Sequence, residues 1–177
     1  HHVSVRCRWQ LGSDPAAENV FAYIYAVLWS KSYRHRYSDF IKRDFPRVPI
    51  VSNRDVFSAL VTHGEELVSL HTMRVMPPRV TRFDVAGSNE VVKVRWADEL
   101  PSQIGGQAGL GRVYINQEQY FGAVPLAVWE MHIGGYRVAE KWLKDRRGRQ
   151  LSYDDLTHYQ SVIAALARTL ALQHEID

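Results

Sequence analysis

Two short segments of the chain concentrate cationic side chains that could bind a polyanion. Residues 31–47 and residues 137–149 each contain six lysines and arginines but only two acids. The 177-residue chain has 22 such cations and 19 acids, so its net charge of +3 conceals two strongly basic segments. Most of the cations are arginines, whose planar guanidinium matches phosphate and guanine. The segments therefore suggest a nucleic-acid partner; solvated helix faces in an arginine-rich protein are the alternative.

No pattern in the sequence supports catalysis by this chain alone. The glycines from Gly106 to Gly111 are not followed by the Gly-Lys-Ser/Thr of a phosphate-binding loop. His63-Gly64-Glu65 lacks the Pro-Cys-x-x-Cys half of a zinc deaminase signature. The lone Cys7 allows neither an internal disulfide nor a four-cysteine zinc site. We therefore expect no catalytic residue, no metal and no cofactor in this chain.

Length and composition are typical of one globular domain. Hydrophobic residues make up 46% of the chain and charged residues 23%. A run of eighteen apolar residues is absent from the sequence, which argues against a membrane span. The chain begins with His1 and His2 rather than Met, and we interpret these two residues as a tag remnant. We expect residues 3–177 to form a single domain, a fragment of a larger cytoplasmic multidomain protein.

Hydrophobic spacing predicts three helices in the first part of the chain. Asp14 is the expected cap of the first helix, Ser30 or Ser32 that of the second, and Asn53 that of the third. The second helix is expected to bury one face, which consists of Tyr33, Tyr37, Phe40 and Ile41.

The last third of the sequence also predicts helices. A short helix is expected over 125–131 and another over 137–146. Ser152 with Asp155 three residues later resembles a capping box, which predicts the start of a long final helix.

Between these helical regions the period of the sequence changes to two. Alternation over 80–85 and a second stretch over 91–96, separated by a turn at 87–89, predict a β-hairpin. A further short strand is expected over 112–115. Helices at both ends around a small, mostly antiparallel central sheet define an α+β fold.

Two long stretches carry a recognisable pattern. Residues 23–49 are YIYAVLWSKSYRHRYSDFIKRDFPRVP, and residues 111–166 include IGGYRVAEKWLKDRRGR. Both resemble the C-terminal specificity domain of type ISP restriction–modification enzymes and of related single-chain adenine-specific DNA methyltransferases. The resemblance implies that this chain recognises a sequence in duplex DNA. It also implies a nuclease, a helicase-like ATPase and an adenine-N6 methyltransferase in the same polypeptide. These domains would methylate adenine and cleave DNA with S-adenosylmethionine, ATP and Mg²⁺.

The resemblance supplies no fixed set of contact residues, so we choose candidates by their chemistry. Phosphate contacts fix a protein on the duplex, whereas contacts to base edges select the sequence. The phosphate candidates are the cations of the two basic segments: Arg34, Arg36, Lys42, Arg43, Lys141, Lys144, Arg146, Arg147 and Arg149. The base-recognition candidates are polar residues of the predicted hairpin and of the loops: Arg79, Arg82, Lys93, Arg95, Gln103, Gln107, Asn116 and Gln117.

A different class of function remains open at this point. The apolar helices and tryptophans could contact neighbouring domains, while the arginine clusters meet acidic protein surfaces. In that case the chain would be a protein–protein docking domain of the same multidomain enzyme.

Overall fold

A computed structural model describes residues 14–98 and 109–177. The chain divides into two compact units. Unit 1 contains the described residues up to Val75 together with Ala171–Asp177, and unit 2 contains the described residues of Met76–Leu170. Of the helices described, none is long and apolar enough to cross a membrane.

Unit 1 is helical. Its helices are α1 (Ala17–Trp29), α2 (Lys31–Arg36), α3 (Ser38–Ile41), α4 (Arg54–His71) and the last residues of α7 (Tyr153–Ile176). Two predicted caps are confirmed, because the Ser30 side chain accepts a hydrogen bond from the Tyr33 amide, and Asn53 accepts two from the first turn of α4. The predicted cap at Asp14 is wrong. α1 begins later, with Ala16 as its N-cap residue and no side-chain capping bond.

The expected buried face of the second helix is only partly correct. Tyr33 is buried and its hydroxyl donates to the Arg47 carbonyl at 3.1 Å. Phe40, however, is 65% exposed. The helix is interrupted at Tyr37, whose φ of −110° and ψ of 19° are not helical. Tyr37 and Ile41 still pack against the core cluster of Tyr33, whereas Phe40 does not.

The core of unit 1 depends on a close approach between α1 and α4. The ring of Tyr23 stacks on that of Phe57 with centroids 5.1 Å apart. Further along α4, Gly64 lies against the backbone of Ala22, and a Cβ atom at Gly64 would overlap the Ala22 carbonyl. Gly64 weakens a helix in isolation, but here the missing side chain is what lets the two helices pack.

Unit 2 contains the sheet. Its elements are β1 (Arg95–Asp98), β2 (Leu110–Tyr114), β3 (Tyr120–Pro125), α5 (Leu126–Trp129), β4 (His132–Ile133), β5 (Tyr136–Arg137), α6 (Val138–Lys144) and the first part of α7. β1, β2 and β3 form an antiparallel sheet in that order, and β4 pairs with β5. Gly134 and Gly135 connect β4 and β5 with φ values of +60° and +85°, which a two-residue hairpin turn requires. Because helices precede and follow this small antiparallel sheet along the chain, the α+β prediction is confirmed.

The predicted hairpin of residues 80–85 and 91–96 is wrong. Arg82 forms an isolated bridge with Gly122, and Glu90 forms one with Gln150. The amides of Val92 and Lys93 both donate to the carbonyl of Ile115. These segments hydrogen-bond to distant parts of the chain instead of to each other.

Tyr159 of α7 forms the centre of the packing behind the sheet. Its ring centroid lies 4.5 Å from that of Phe121 in β3 and 5.2 Å from that of Trp142 in α6. Tyr159 is fully buried, and its hydroxyl donates to the Ala139 carbonyl at 3.2 Å. The sheet, α6 and α7 are therefore joined through one side chain.

We expect Gly64→Ala to destabilise the protein, although the same change in an open helix would stabilise it by about 1 kcal/mol. The added Cβ would overlap backbone that cannot rotate away, and overpacking of this kind costs about 1–3 kcal/mol. Urea unfolding measures the difference. The matched control is Glu65→Ala at the neighbouring exposed position, where we expect little change. A Gly64→Ala variant more stable than wild type would contradict this packing.

Candidate nucleic-acid interface

The first basic segment lies on α2, α3 and the residues after them. Arg34, Arg36, Lys42 and Arg43 are all exposed. Arg36 lies over the ring of Tyr37 at 5.9 Å, and in residues 14–98 and 109–177 none of the four cations is within 4.0 Å of a carboxylate. Their charge is thus available to a ligand.

The start of α2 is held by a carboxylate from the residue after α7. Asp177 accepts hydrogen bonds from the Ser30 hydroxyl at 2.6 Å and from the amides of Lys31 and Ser32 at 3.1 and 3.2 Å. Partial burial disfavours its charge, but these hydrogen bonds outweigh burial and lower the pKa of Asp177. A carboxylate here also complements the partial positive charge of the helix start.

The second basic segment lies on α6 and the turn after it. Lys141 pairs with Asp145 at 2.7 Å, and Lys144 pairs with Glu140 at 2.8 Å. All four side chains are partly exposed, and exposed pairs of this kind contribute only about 0–1 kcal/mol. Both lysines could therefore exchange their partners for phosphate at little cost.

Arg146 differs from the other cations of this segment because its side chain is held within the fold. Its guanidinium carbon lies 3.5 Å from the centre of the Trp142 ring, and Nη1 donates to the Trp142 carbonyl at 3.0 Å. Its Nε is 3.7 Å from a carboxylate oxygen of Asp155. Arg147 and Arg149, by contrast, are exposed.

The capping box predicted from the sequence is present at the start of α7. The Ser152 amide and hydroxyl donate to Asp155, and the Asp155 amide donates to the Ser152 hydroxyl, at 2.9–3.1 Å. These hydrogen bonds, together with the positive charges of Arg146 and Arg149, lower the pKa of Asp155. The box therefore fixes the start of α7 and, through Arg146, the basic turn beside it.

The base-recognition candidates are placed in different surroundings. Arg79, Arg82, Lys93 and Arg95 are exposed. Gln103 and Gln107 lie outside the described residues. Asn116 caps its own turn, because its Oδ1 accepts from the amides of Glu118 and Gln119 and its Nδ2 donates to the Glu90 carbonyl. Gln117 is exposed in the same turn.

Gln119, beside this turn, is buried and forms side-chain hydrogen bonds that the sequence did not predict. It is 1% exposed, and its amide nitrogen donates to the Val85 carbonyl at 2.9 Å and to Asn89 Oδ1 at 2.7 Å. Its amide oxygen accepts from the Asn89 amide at 2.7 Å. Gln119 thereby connects the loop around Asn89 to the β2–β3 turn.

The outer face of the sheet carries a residue that the sequence did not single out. Arg112 in β2 has its guanidinium carbon 4.5 Å from the centre of the Tyr120 ring. Arg95 in β1 lies over Tyr114 in the same way, at 3.6 Å. The short strand over 112–115 was predictable from the sequence, but the partner ring across the sheet was not. Within the part of the chain that the structure describes, no group of three or more His, Cys, Asp and Glu side chains could hold a metal ion.

The fold and surface define an α+β domain with exposed cations on helices and on a small sheet. The chain belongs to the family described as the Type ISP C-terminal specificity domain, whose model matches residues 3–175. Among curated proteins, no significant match was found.

Solved structures share the fold, among them three complexes with DNA or a DNA mimic. A nuclease-deletion mutant of the Type ISP restriction-modification enzyme LlaGI, in complex with a DNA substrate mimic, is 22% identical over 90% of this chain, with a TM-score of 0.67. The ATP-dependent Type ISP restriction-modification enzyme LlaBIII, bound to DNA, is 20% identical over 93%, with a TM-score of 0.67. The DrdV–DNA complex is 18% identical over 91%, with a TM-score of 0.65. The matched region is 14%, 11% and 18% of those chains, respectively.

We expect Asp155→Asn to lower the stability of the protein by about 0.3–1 kcal/mol at neutral pH, because the negative charge at the start of α7 is lost. The pKa of Asp155 in the folded protein lies below the ordinary value for an aspartate. The stabilisation by the charged Asp155 is therefore fully present at pH values above the ordinary aspartate pKa. It is lost as the pH falls through the lower pKa of the folded state. Thermal unfolding of both proteins between acid and neutral pH measures the difference.

Asp154→Asn is the control, since it changes the adjacent exposed acid without touching Ser152. A stability gap between Asp155→Asn and wild type that did not shrink in acid would contradict the role of the charged cap.

Proposed function

We propose that this chain is the DNA target-recognition module of a restriction–modification enzyme. Membership of the specificity-domain family across residues 3–175 carries the proposal. LlaGI, LlaBIII and DrdV, which share the fold, were each solved as complexes with DNA or a DNA mimic. The exposed cations of this chain supply the charge that binding to the phosphate backbone requires.

The two basic segments are proposed to contact phosphates. In residues 31–47, Arg34, Arg36, Lys42 and Arg43 carry this role. In residues 137–149, Lys141, Lys144, Arg147 and Arg149 do so. Arg146 supports them by fixing the turn through its contacts with Trp142 and Asp155. Such contacts position the protein on DNA without selecting a sequence.

The rest of the enzyme is proposed to perform the chemistry. In this scheme the module holds the target site for adenine-N6 methylation by a methyltransferase domain that uses S-adenosylmethionine. ATP-dependent cleavage would be performed by helicase-like and nuclease domains with ATP and Mg²⁺. The enzyme would act in the cytoplasm, where foreign duplex DNA is encountered.

A docking function is the second candidate, and one observation in unit 1 favours it. Phe40 and Phe45 are 65% and 89% exposed, and they line an apolar cleft of about 150 Å³ together with Ile41. Large exposed apolar groups of this kind often mark protein contacts. Docking of unit 1 is compatible with DNA recognition by unit 2, but docking alone predicts no role for Arg147 and Arg149 in DNA affinity.

The double variant Arg147→Gln/Arg149→Gln tests the phosphate contacts. We expect the 177-residue chain to bind duplex DNA with a log–log salt slope of about −0.9 per contact, so removing two contacts makes the slope about 1.8 less steep. From that slope, affinity at about 0.15 M salt falls about 30-fold. Fluorescence anisotropy of a labelled random-sequence duplex, measured across a salt series, gives both values.

The matched control is Arg54→Gln/Arg74→Gln, which removes two exposed arginines from unit 1 outside the proposed contacts. We expect this control to keep the wild-type slope. Equal slopes and affinities for all three proteins would contradict phosphate binding by this segment and favour docking.

A further inference from the structure

Four side chains form a continuous row on the outer face of the three-stranded sheet. β2 alternates in burial along its length, with Val113 buried and Arg112 and Tyr114 half-buried on the opposite face. In the sheet register Arg95 lies opposite Tyr114, and Tyr114 lies opposite Tyr120. Arg95, Tyr114, Tyr120 and Arg112 therefore share the face that points away from the core; we call them the Arg–Tyr row.

The contacts within the Arg–Tyr row fix the orientation of both guanidinium groups. Arg95 lies 3.6 Å and Arg112 4.5 Å from the centres of their tyrosine rings, and the two rings are 5.1 Å apart. Stacking on an aromatic ring restrains a long side chain that would otherwise lose entropy on binding. The donors at the edge of the Arg95 guanidinium are thus held ready for a ligand.

The charge around the row is positive. Lys93 precedes Arg95 by two residues and is exposed, and Arg82 is opposite Gly122 at the edge of β3. Among described residues, Arg82, Lys93 and Arg95 have no carboxylate within 4.0 Å, unlike the lysines of α6. Asp84, Glu90 and Asp98 are the acids nearest to these residues in sequence. Arg82, Lys93 and Arg95 are therefore not neutralised by ion pairs of this kind.

We propose that the Arg–Tyr row enters the major groove of duplex DNA and that Arg95 recognises a guanine there. This inference rests on the proposed DNA-recognition function and assigns the surface that selects sequence. The major groove is about 12 Å wide and admits a two-stranded β-ribbon, and β1, which carries Arg95, is an edge strand paired with β2. Arginine bound through two donors to guanine O6 and N7 is the commonest specific contact of this kind.

The same geometry favours duplex over single-stranded nucleic acid. Single-strand binding uses aromatic faces as platforms for unpaired bases. In this row the tyrosine rings are half-buried, and each has a guanidinium over one face. The guanidinium edge of the exposed Arg95 remains for hydrogen bonding, which is how base edges in a groove are recognised.

The inference is tested by a selection experiment, in which the 177-residue chain binds members of a library of random duplexes about two helical turns long. Sequencing of the bound fraction gives the preferred motif for wild type and for each variant. Loss of a good bidentate contact removes about 1–3 kcal/mol of discrimination, so we expect Arg95→Ala to lose a G·C preference at one position by about tenfold or more. Arg95→Lys should weaken the same preference while keeping the wild-type salt slope, because it retains the charge but not the planar fork.

Variants of Tyr114 examine the support for Arg95. Tyr114→Phe retains the ring, so we expect the wild-type motif, whereas Tyr114→Leu should weaken preference at the position that Arg95→Ala affects. Arg74→Ala, which removes an exposed charge from unit 1, is the control and should leave the motif unchanged. Thermal unfolding shows whether each variant is folded.

The outcomes separate this inference from the function on which it rests. If wild type selects a motif and Arg95→Ala and Arg95→Lys select the same one, the role of Arg95 is overturned while DNA recognition stands. If wild type binds duplexes without any motif, sequence recognition by this chain fails, and the inference fails with it. Tighter binding of single strands of the same length than of the duplexes would overturn the groove-binding geometry.

Discussion

The packing of Tyr159 against Phe121 and Trp142 is the contact on which the proposed surfaces of unit 2 depend. Phe121 is on the inner side of the sheet, so its burial against Tyr159 turns the opposite side, with Arg95 and Arg112, away from the core. Trp142, which also contacts Tyr159, orients α6 and supports the guanidinium of Arg146. A fully buried tyrosine of α7 thus holds both a basic helix and a cationic sheet face.

Electrostatics distinguishes the cations that serve the fold from those available to a ligand. The guanidinium of Arg146 contacts a tryptophan ring, a carbonyl and a carboxylate of the fold, so its charge already interacts with protein groups. Lys141 and Lys144 have exposed acidic partners one turn away, which bind them weakly. Arg95 is held by a ring that leaves its charge intact. Lysines and arginines with the same formal charge therefore differ in their ability to bind phosphate or bases.

Local patterns predicted most of the helices but not the partners of the strands. Ser30, Asn53 and the Ser152–Asp155 pair act through neighbours two or three residues away, and all three caps are present as predicted. The alternation around Arg82 predicted a hairpin with a nearby strand, yet its bridge is to Gly122, much further along the chain. The surroundings of Arg112 were likewise not predictable, because they depend on the Tyr120 ring across a turn.

DNA recognition through unit 2 can be examined residue by residue by chemical-shift mapping of the 177-residue chain during titration with a random-sequence duplex. We predict shift changes concentrated at the backbone amides of residues 34–43, 93–97, 112–114 and 137–149, and their reversal when salt is added. Changes confined to the residues around Phe40 and Phe45, or no changes at low salt, would contradict DNA recognition through this unit.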